Sequence, residues 1–166
     1  DGDNVVVDVV RHPRTFDTDV HGPNEGPPSL DRWTIDTAAG KVIEERIDDR
    51  GQEFPRLDES LIGRRHRYGF TIGFGDDASG SVLFRHDLDQ RRAHTRDFGT
   101  DKALSEFVHV AGADAGTGTG VVMGFVHDRP TATTELRILD HETLDDIAAV
   151  SIPVRIPLGF HGNWVP

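Results

Sequence analysis

The 166-residue sequence contains no cysteine, which excludes disulfide bonds, thiolate metal sites and cysteine nucleophiles. A metal site would therefore have to use carboxylates and the nine histidines. Long hydrophobic runs are missing too, so no membrane span is predicted, and no signal peptide is recognisable. We therefore expect a cytoplasmic protein, with peripheral attachment to a membrane left open.

Basic residues are scarce relative to acidic ones, with 18 Lys and Arg against 29 Asp and Glu and a formal net charge of -11. Nucleic acids and anionic membrane surfaces are themselves polyanions. The charge therefore disfavours non-specific binding to either, and we expect no nucleic-acid partner.

Helical periodicity is also missing, and short segments of β-forming residues predict an all-β chain. The predicted strands are VVVDVV, DRWTID, KVIEERI, RYGFTIG, SVLFRHDL, RAHTRDF, FVHVAG, GVVMGFVHD, ELRILD and IAAVSIPV. Turn signals such as TAAG, GDDASG and DHETLDD separate them, and DESLIG predicts one helical turn. Because the first strand begins almost at once, we expect the natural N-terminus to lie upstream.

A repeat organises the chain: the segment from LDRWTID to QEFP aligns with LFRHDL to SEFV and with ELRILD to LGFHG. Each copy opens with a strand that ends in aspartate, at Asp36, Asp89 and Asp140. Each copy closes on a phenylalanine, and these recur at a constant interval as Phe54, Phe107 and Phe160.

The repeat unit has about four short strands, which is the content of a propeller blade. A β-sandwich rarely repeats so regularly, and the coils of a β-solenoid are shorter. We therefore predict about three four-stranded units, roughly 30–82, 83–135 and 136–166, after a leading strand and loop at 1–29. Because a propeller needs about 4–8 blades, the chain is expected to be part of a larger β-propeller domain.

Equivalent positions in successive blades converge on the propeller axis. Glu53 and Glu106 immediately precede the first two repeated phenylalanines, and His161 immediately follows the third. The repeat thus predicts two carboxylates and an imidazole near one centre. That group could serve a metal ion, with the carboxylates as ligands or orienting imidazoles, or it could be a polar plug in a structural channel.

The motifs EFP at 53–55, SEF at 105–107 and the terminal PLGFHGNWVP together resemble the carotenoid oxygenase family, as do RWTID, RHRYGF and GVVMGFVHD. The ordered set covers essentially the whole chain. The resemblance implies the C-terminal blades of a seven-bladed β-propeller with one Fe(II), held by four histidines, on its axis. His161 matches the last of these ligands. Glu53 and Glu106 match two glutamates that orient ligand imidazoles, and the other ligands lie upstream in the family.

The same resemblance implies a non-haem dioxygenase that cleaves a carbon–carbon double bond of a carotenoid, apocarotenoid or stilbene to carbonyl products. Its partners would be dioxygen, a lipophilic polyene or phenolic stilbene, and the remaining N-terminal blades of the same protein. The isolated piece is expected to be inactive. Glu106 is the preferred partner of His161. Two alternatives stay open: a non-catalytic propeller for binding or scaffolding, and a metal-dependent lactonase-type propeller enzyme.

The remaining histidines are expected to be surface or hydrogen-bonded side chains: His12, His21, His66, His86, His94, His109, His127 and His141. Strand alternation turns His109 away from Glu106 and so places it outside the site. GADAGTGTG lacks the Lys-Ser/Thr ending of a phosphate loop and is interpreted as a hairpin connection. The acid pairs Asp76–Asp77 and Asp145–Asp146 are expected to be solvated turns.

Overall fold

The computed structural model describes residues 4–20, 25–73, 80–113, 118–159 and 161–165. Within these ranges the chain forms twelve strands and one short 3₁₀ helix, Glu59–Leu61. The strands are β1 Asn4–Arg11, β2 Ser29–Asp36, β3 Lys41–Asp48, β4 Gln52–Arg56, β5 Tyr68–Gly73, β6 Val82–Asp87, β7 Arg92–Asp97, β8 Lys102–Leu104, β9 Val108–Ala111, β10 Gly120–Asp128, β11 Thr133–Asp140 and β12 Asp146–Ile152.

The strands form three antiparallel sheets that follow one another along the chain. Their orders are β1-β2-β3, β4-β5-β6-β7 and β12-β11-β10-β8, and β9 also pairs with β10. The all-β prediction is confirmed. The predicted four strands per unit hold only for the second sheet, because the described residues give the first sheet three strands and the third sheet five.

Two strands, β4 and β8, were not predicted from the sequence. β4 contains Pro55, and its pairing with β5 shifts register between Glu53 and Arg56, around Phe54 with its positive φ of 56°. A proline and a register shift both break the alternation by which a strand is recognised. β8 has only three residues. The predicted helical turn is confirmed: Asp58 caps the 3₁₀ helix by accepting a hydrogen bond from the Ser60 amide.

The sequence repeat is offset from the sheets. The first copy spans β2, β3 and β4, and the second spans β6, β7 and β8, so each contains the last two strands of one sheet and the first strand of the next. The third copy contains β11 and β12 and then runs into segment 153–165. This segment carries His161. Its position in the third copy is equivalent to that of β4 in the first copy and of β8 in the second. The predicted unit boundaries themselves stay a prediction.

Four hairpins share one turn chemistry. Each first strand ends in an aspartate whose carboxylate accepts hydrogen bonds from amides in the following turn, at Asp36, Asp87, Asp128 and Asp140. The fourth residue after each aspartate has a positive φ: Gly40 62°, Arg91 51°, Ala132 52° and Leu144 60°. Aspartate favours such turns because its side chain takes the place of a backbone acceptor.

The repeated aspartate of the second copy was predicted at Asp89, and this is wrong. Strand β6 ends at Asp87, whose Oδ1 accepts a hydrogen bond from the Gln90 amide at 3.1 Å. Asp89 instead pairs with Arg65 across 2.7 Å. The two positions are close enough in sequence that alignment alone did not separate them.

The hydrophobic core lies mainly between the second and third sheets. Phe107 is fully buried there, and a Cβ added at Gly124 would lie only 2.6 Å from its ring. A glycine is therefore required opposite this ring. Phe54 is partly buried against the same core, whereas Phe160 lies outside the described residues. The buried members are Phe70, Ile72, Leu83, Leu104, Phe107, Val122, Val126, Leu139 and Leu144.

Among the described residues, no helix is both long and apolar enough to cross a membrane.

Candidate metal centre

The carboxylate of Glu106 holds the C-terminal segment in place. Glu106 lies between β8 and β9, and its side chain is 4% exposed. Its Oε2 accepts a hydrogen bond from the Gly162 amide at 2.7 Å, and its Oε1 lies 3.3 Å from Nδ1 of His161. With Nδ1 facing the carboxylate, the neutral imidazole carries its proton there and keeps the Nε2 lone pair available.

A break in the strand turns Glu106 inward. The chain leaves the ladder between β8 and β9, where the Ser105 hydroxyl accepts a hydrogen bond from the Phe125 amide at 2.9 Å. Strand alternation relates His109 to Glu106 only if the strand is continuous, and the break between β8 and β9 shows that it is not. The predicted separation of the two side chains agrees with the contacts, because His109 lies against Asp58 and His141 while Glu106 contacts His161.

Arg56 of β4 ties the C-terminal segment to the second sheet. Its Nη2 donates to Oδ1 of Asn163 at 3.0 Å and to the Gly162 carbonyl at 3.4 Å. Its Nε lies 3.8 Å from Oε1 of Glu106. Phe54, on the same strand, contacts the His161 ring edge-on with centroids 5.6 Å apart. Residues from all three repeat copies therefore meet at His161, whose side chain is otherwise 75% exposed.

Glu53 contacts a different imidazole. Its Oε1 lies against Nε2 of His12, and its Oε2 accepts a hydrogen bond from the Phe54 amide at 3.1 Å. The side chains of His12 and Glu53 are 11% and 20% exposed, so the pair is largely shielded from water. From the sequence alone, His12 is expected to be a surface or hydrogen-bonded side chain outside the site. No local motif links it to Glu53, which lies 41 residues away.

Four other histidines are hydrogen-bonded, as predicted. His66 contacts Asp8 at 3.1 Å, His86 contacts Gln52 at 2.8 Å and Thr71 at 3.0 Å, His94 contacts the Thr143 carbonyl at 3.1 Å, and His127 contacts Thr134 at 3.1 Å. His21, the pair Asp76–Asp77 and residues 114–117 of the proposed hairpin connection lie outside the described residues. Asp146 is not merely solvated, because it pairs with Arg96 and Arg137.

No group of three or more histidine or carboxylate side chains is arranged to hold a metal ion in the part of the chain that the structure describes. The site nevertheless contains one element of such a centre. An exposed imidazole has its Nδ1 held by a buried carboxylate, the arrangement that orients metal-binding histidines in proteins. The orientation of His161 is therefore compatible with binding a metal ion through Nε2.

Comparison with known proteins agrees with the motifs. The family described as retinal pigment epithelial membrane protein (RPE65) matches residues 1–166. A carotenoid cleavage oxygenase of Mycobacterium tuberculosis is 40% identical over 98% of this chain and 34% of its own length. The rice 9-cis-epoxycarotenoid dioxygenase NCED1 is 30% identical over 82% of this chain and 23% of its own length.

The fold is also that of a solved enzyme. The structure of cobalt-substituted Synechocystis apocarotenoid oxygenase (ACO) superposes on 99% of this chain and 37% of that one, with a TM-score of 0.87 and 22% identity. An ACO/RPE65 chimera gives the same TM-score at 24% identity. The chain thus spans between about a quarter and somewhat more than a third of the length of these proteins. It belongs to the carotenoid oxygenase family, matched over residues 1–166 as retinal pigment epithelial membrane protein.

Proposed function

We propose that this chain is the C-terminal part of a non-haem Fe(II) dioxygenase that cleaves a carbon–carbon double bond to two carbonyl products. The substrate is a carotenoid or apocarotenoid, with a phenolic stilbene as the second candidate. The names of the relatives favour the first class, since the Mycobacterium tuberculosis protein is a carotenoid cleavage oxygenase and the Synechocystis protein an apocarotenoid oxygenase.

The architecture proposed for the whole protein is a seven-bladed propeller, and the three described sheets are consecutive blades of it. Two observations support this proposal. Each sheet is a run of antiparallel strands that neighbour one another along the chain, and each sequence copy carries the chain from one sheet into the next. Equivalent copies also bring Phe54, Glu106 and His161 into contact.

The observation that carries the functional proposal is the contact between Glu106 and His161. In the proposed enzyme, His161 is one of the iron ligands and binds through Nε2. Glu106 keeps the imidazole proton on Nδ1, raises the basicity of the ring and fixes its orientation. The chemistry that Fe(II) supplies when bound is activation of dioxygen for addition to the alkene. Arg56 and the Gly162 amide hold the segment that carries the ligand, and Phe54 restrains the ring edge.

In the same proposal, Glu53 fixes the orientation of a second imidazole, as Glu106 does for the ring of His161. In the described chain the partner of Glu53 is His12. Both glutamates are mostly buried, so water competes little for their hydrogen bonds. The imidazoles that they contact are therefore held in a defined orientation. The protein's contribution to the reaction is thus to orient its ligands and keep the site dry.

The test is iron quantification on the intact protein that contains this chain, followed by product analysis with a carotenoid and with a stilbene. We expect bound iron and carbonyl products, and we expect loss of both in His161→Ala. The matched control is His94→Ala, an exposed histidine whose ring contacts the Thr143 carbonyl. Iron retained at wild-type level by His161→Ala would refute the ligand assignment. Bound calcium instead of iron, with no alkene cleavage, would favour the lactonase alternative.

A further inference from the structure

A second group of buried polar side chains lines a cavity of about 340 Å³, away from Glu106. Asp58 contributes from the start of the 3₁₀ helix, Tyr68 and Phe70 from β5, His109 from β9, and His141 from the turn after β11. The cavity therefore lies where the second and third sheets meet. We call it the Asp58 cavity.

Three of these side chains have buried polar atoms that find no hydrogen-bond partner among the described residues. The atoms are both ring nitrogens of His109, Nδ1 of His141 and Oδ2 of Asp58. The residues are only 9%, 6% and 5% exposed, respectively. Nδ1 of His109 lies 3.8 Å from Oδ1 of Asp58, which is too far for a hydrogen bond. Burying such groups unpaired is costly, so a cavity lined by several of them is suited to hold water or a polar ligand.

The charge of the Asp58 cavity is unbalanced. Oδ1 of Asp58 accepts hydrogen bonds from the Ser60 amide at 3.0 Å and the Ser60 hydroxyl at 2.7 Å, and both donors are neutral. Burial lowers the pKa of His109 and of His141, so both imidazoles are neutral at pH 7 and offer lone pairs rather than a counter-charge. A cation placed beside a buried carboxylate in such surroundings gains a strong electrostatic attraction.

The arginines at the rim of the cavity are engaged elsewhere. Arg65 pairs with Asp89 across 2.7 Å, and Arg67 pairs with the buried Asp87 across 2.7 Å. These contacts pair the rim arginines with other carboxylates. Among the described lining residues they leave Asp58 and Glu142 as the carboxylates that form no ion pair with an arginine.

The walls of the cavity are aromatic. The ring of His109 stacks on Phe70 with centroids 5.9 Å apart and meets His141 edge-on at 5.5 Å. His141 in turn contacts Tyr68 at 5.7 Å. A carboxylate set among aromatic faces is a favourable environment for an organic ammonium ion, because the ring faces attract the cation and also cover its apolar part.

We propose that the Asp58 cavity binds a primary organic ammonium ion. Its three N–H groups donate to Oδ2 of Asp58 and to one ring nitrogen each of His109 and His141, while its apolar part lies against Tyr68 and Phe70. This occupant brings a positive charge to Asp58 and one hydrogen-bond donor to each of the three side chains. A metal ion fits less well, because no three of the described ligand groups are arranged to hold one. The site stands independently of the proposed iron centre.

The experiment is calorimetric titration of the intact protein at pH 7.5 with benzylamine, using benzyl alcohol as the neutral isostere. We expect benzylamine to bind and benzyl alcohol to bind at least about 10-fold more weakly, the loss that follows removal of a charged hydrogen-bond partner. Asp58→Asn keeps a carbonyl oxygen to cap the 3₁₀ helix and removes the charge. It should weaken benzylamine binding about 10- to 100-fold.

A second variant keeps the test valid if Asp58→Asn alters the fold. His109→Phe preserves the stack on Phe70, removes both ring nitrogens and should also weaken binding. Glu45→Gln is the matched control, because it removes a negative charge from an exposed position on β3, outside the cavity lining, and should leave binding unchanged. Equal affinity for benzyl alcohol, unaltered binding in Asp58→Asn, no benzylamine binding at all, or stoichiometric Zn²⁺ binding in its place would each overturn the proposal.

Discussion

Glu106 and His161 are separated by 55 residues in the chain, yet Oε1 of the first lies 3.3 Å from Nδ1 of the second. The same carboxylate accepts a hydrogen bond from the amide of the next residue, Gly162, at 2.7 Å. One buried side chain thus fixes both the backbone and the ring of the C-terminal segment. The orientation of His161 is therefore created by docking of this segment against the third sheet.

Replacing Glu106 by glutamine tests this contact. The substitution removes the negative charge that favours the Nδ1-protonated tautomer and raises the basicity of the ring. We expect Glu106→Gln to weaken iron binding or turnover about 10- to 100-fold, the usual effect of removing a group that orients a metal-binding histidine. The measurement is iron affinity by competition with a chelator, together with turnover at saturating iron. Glu45→Gln, on the exposed strand β3, is the control and should change neither quantity. Unchanged iron affinity and turnover in Glu106→Gln would contradict the proposed role of Glu106 in orienting His161.

The pair of Glu53 and His12 predicts a second coupling. Glu53→Gln should lower iron binding or activity, because in the proposed enzyme Glu53 orients a ligand imidazole. It should also weaken the contact between residue 53 and His12. A double-mutant cycle of Glu53→Gln and His12→Ala, measured as the free energy of unfolding, gives the interaction energy between the two side chains. For contacting residues this energy is about 0.5–3 kcal/mol. Strictly additive effects on the free energy of unfolding would show that the two side chains do not interact in solution.

His109 separates a structural effect from a metal effect. His109→Ala removes a buried ring that stacks on Phe70. It should therefore destabilise the fold by roughly 1–3 kcal/mol, as other core truncations do, while leaving iron stoichiometry unchanged. Urea unfolding gives the first quantity and metal analysis of the folded protein gives the second. Loss of iron from a folded variant would place His109 in the metal centre.

His86 predicts a loss of stability in mild acid. Burial lowers its pKa from 6.5 to about 4, because the charged ring would be desolvated between Gln52 and Thr71. In the unfolded chain, His86 is protonated below about pH 6.5. In the folded chain, it is protonated only below about pH 4. The contribution of His86 to the free energy of unfolding should therefore be constant above pH 7. It should fall by up to about 3 kcal/mol as the pH is lowered from about 6.5 to about 4.

The measurement is urea unfolding at several pH values between 7.5 and 4.5, compared with His86→Gln. The variant should show a shallower decline, although His109, His127 and His141 contribute in the same direction because burial lowers their pKa too. Carboxylates such as Asp8, whose pKa is lowered to about 2, act in a separate window at lower pH. An identical pH dependence in both proteins would show that His86 is not the responsible group.

The shared hairpin turn predicts a stabilising substitution. Ala132 is exposed and has a φ of 52°, a conformation that glycine adopts without the steric cost of a Cβ. Ala132→Gly should therefore raise the free energy of unfolding by up to about 1 kcal/mol. Ala38→Gly, in another turn of the same kind but at a position without positive φ, should lower it by about 0.5 kcal/mol. A destabilised Ala132→Gly would contradict the proposed turn strain.

Much of the fold could be predicted from the sequence because hairpins are local. Alternating apolar residues mark most strands, and an aspartate at the strand end marks the turn, whose fourth following residue has a positive φ. Strand β4 was missed because Pro55 and the register shift at Phe54 remove the alternation. The repeat located Glu53, Glu106 and His161 because equivalent positions keep their spacing even where strand patterns fail.

The sequence by itself determined the β architecture, the turn chemistry and the identity of the side chains at the repeated positions, since each depends on residues close together in the chain. Only the tertiary structure decided that Glu106 meets His161, that Glu53 meets His12, and that Asp58, His109 and His141 surround one cavity. Those contacts join segments from different sheets. Their distances are set by how the sheets pack, and no local pattern of residues encodes that packing.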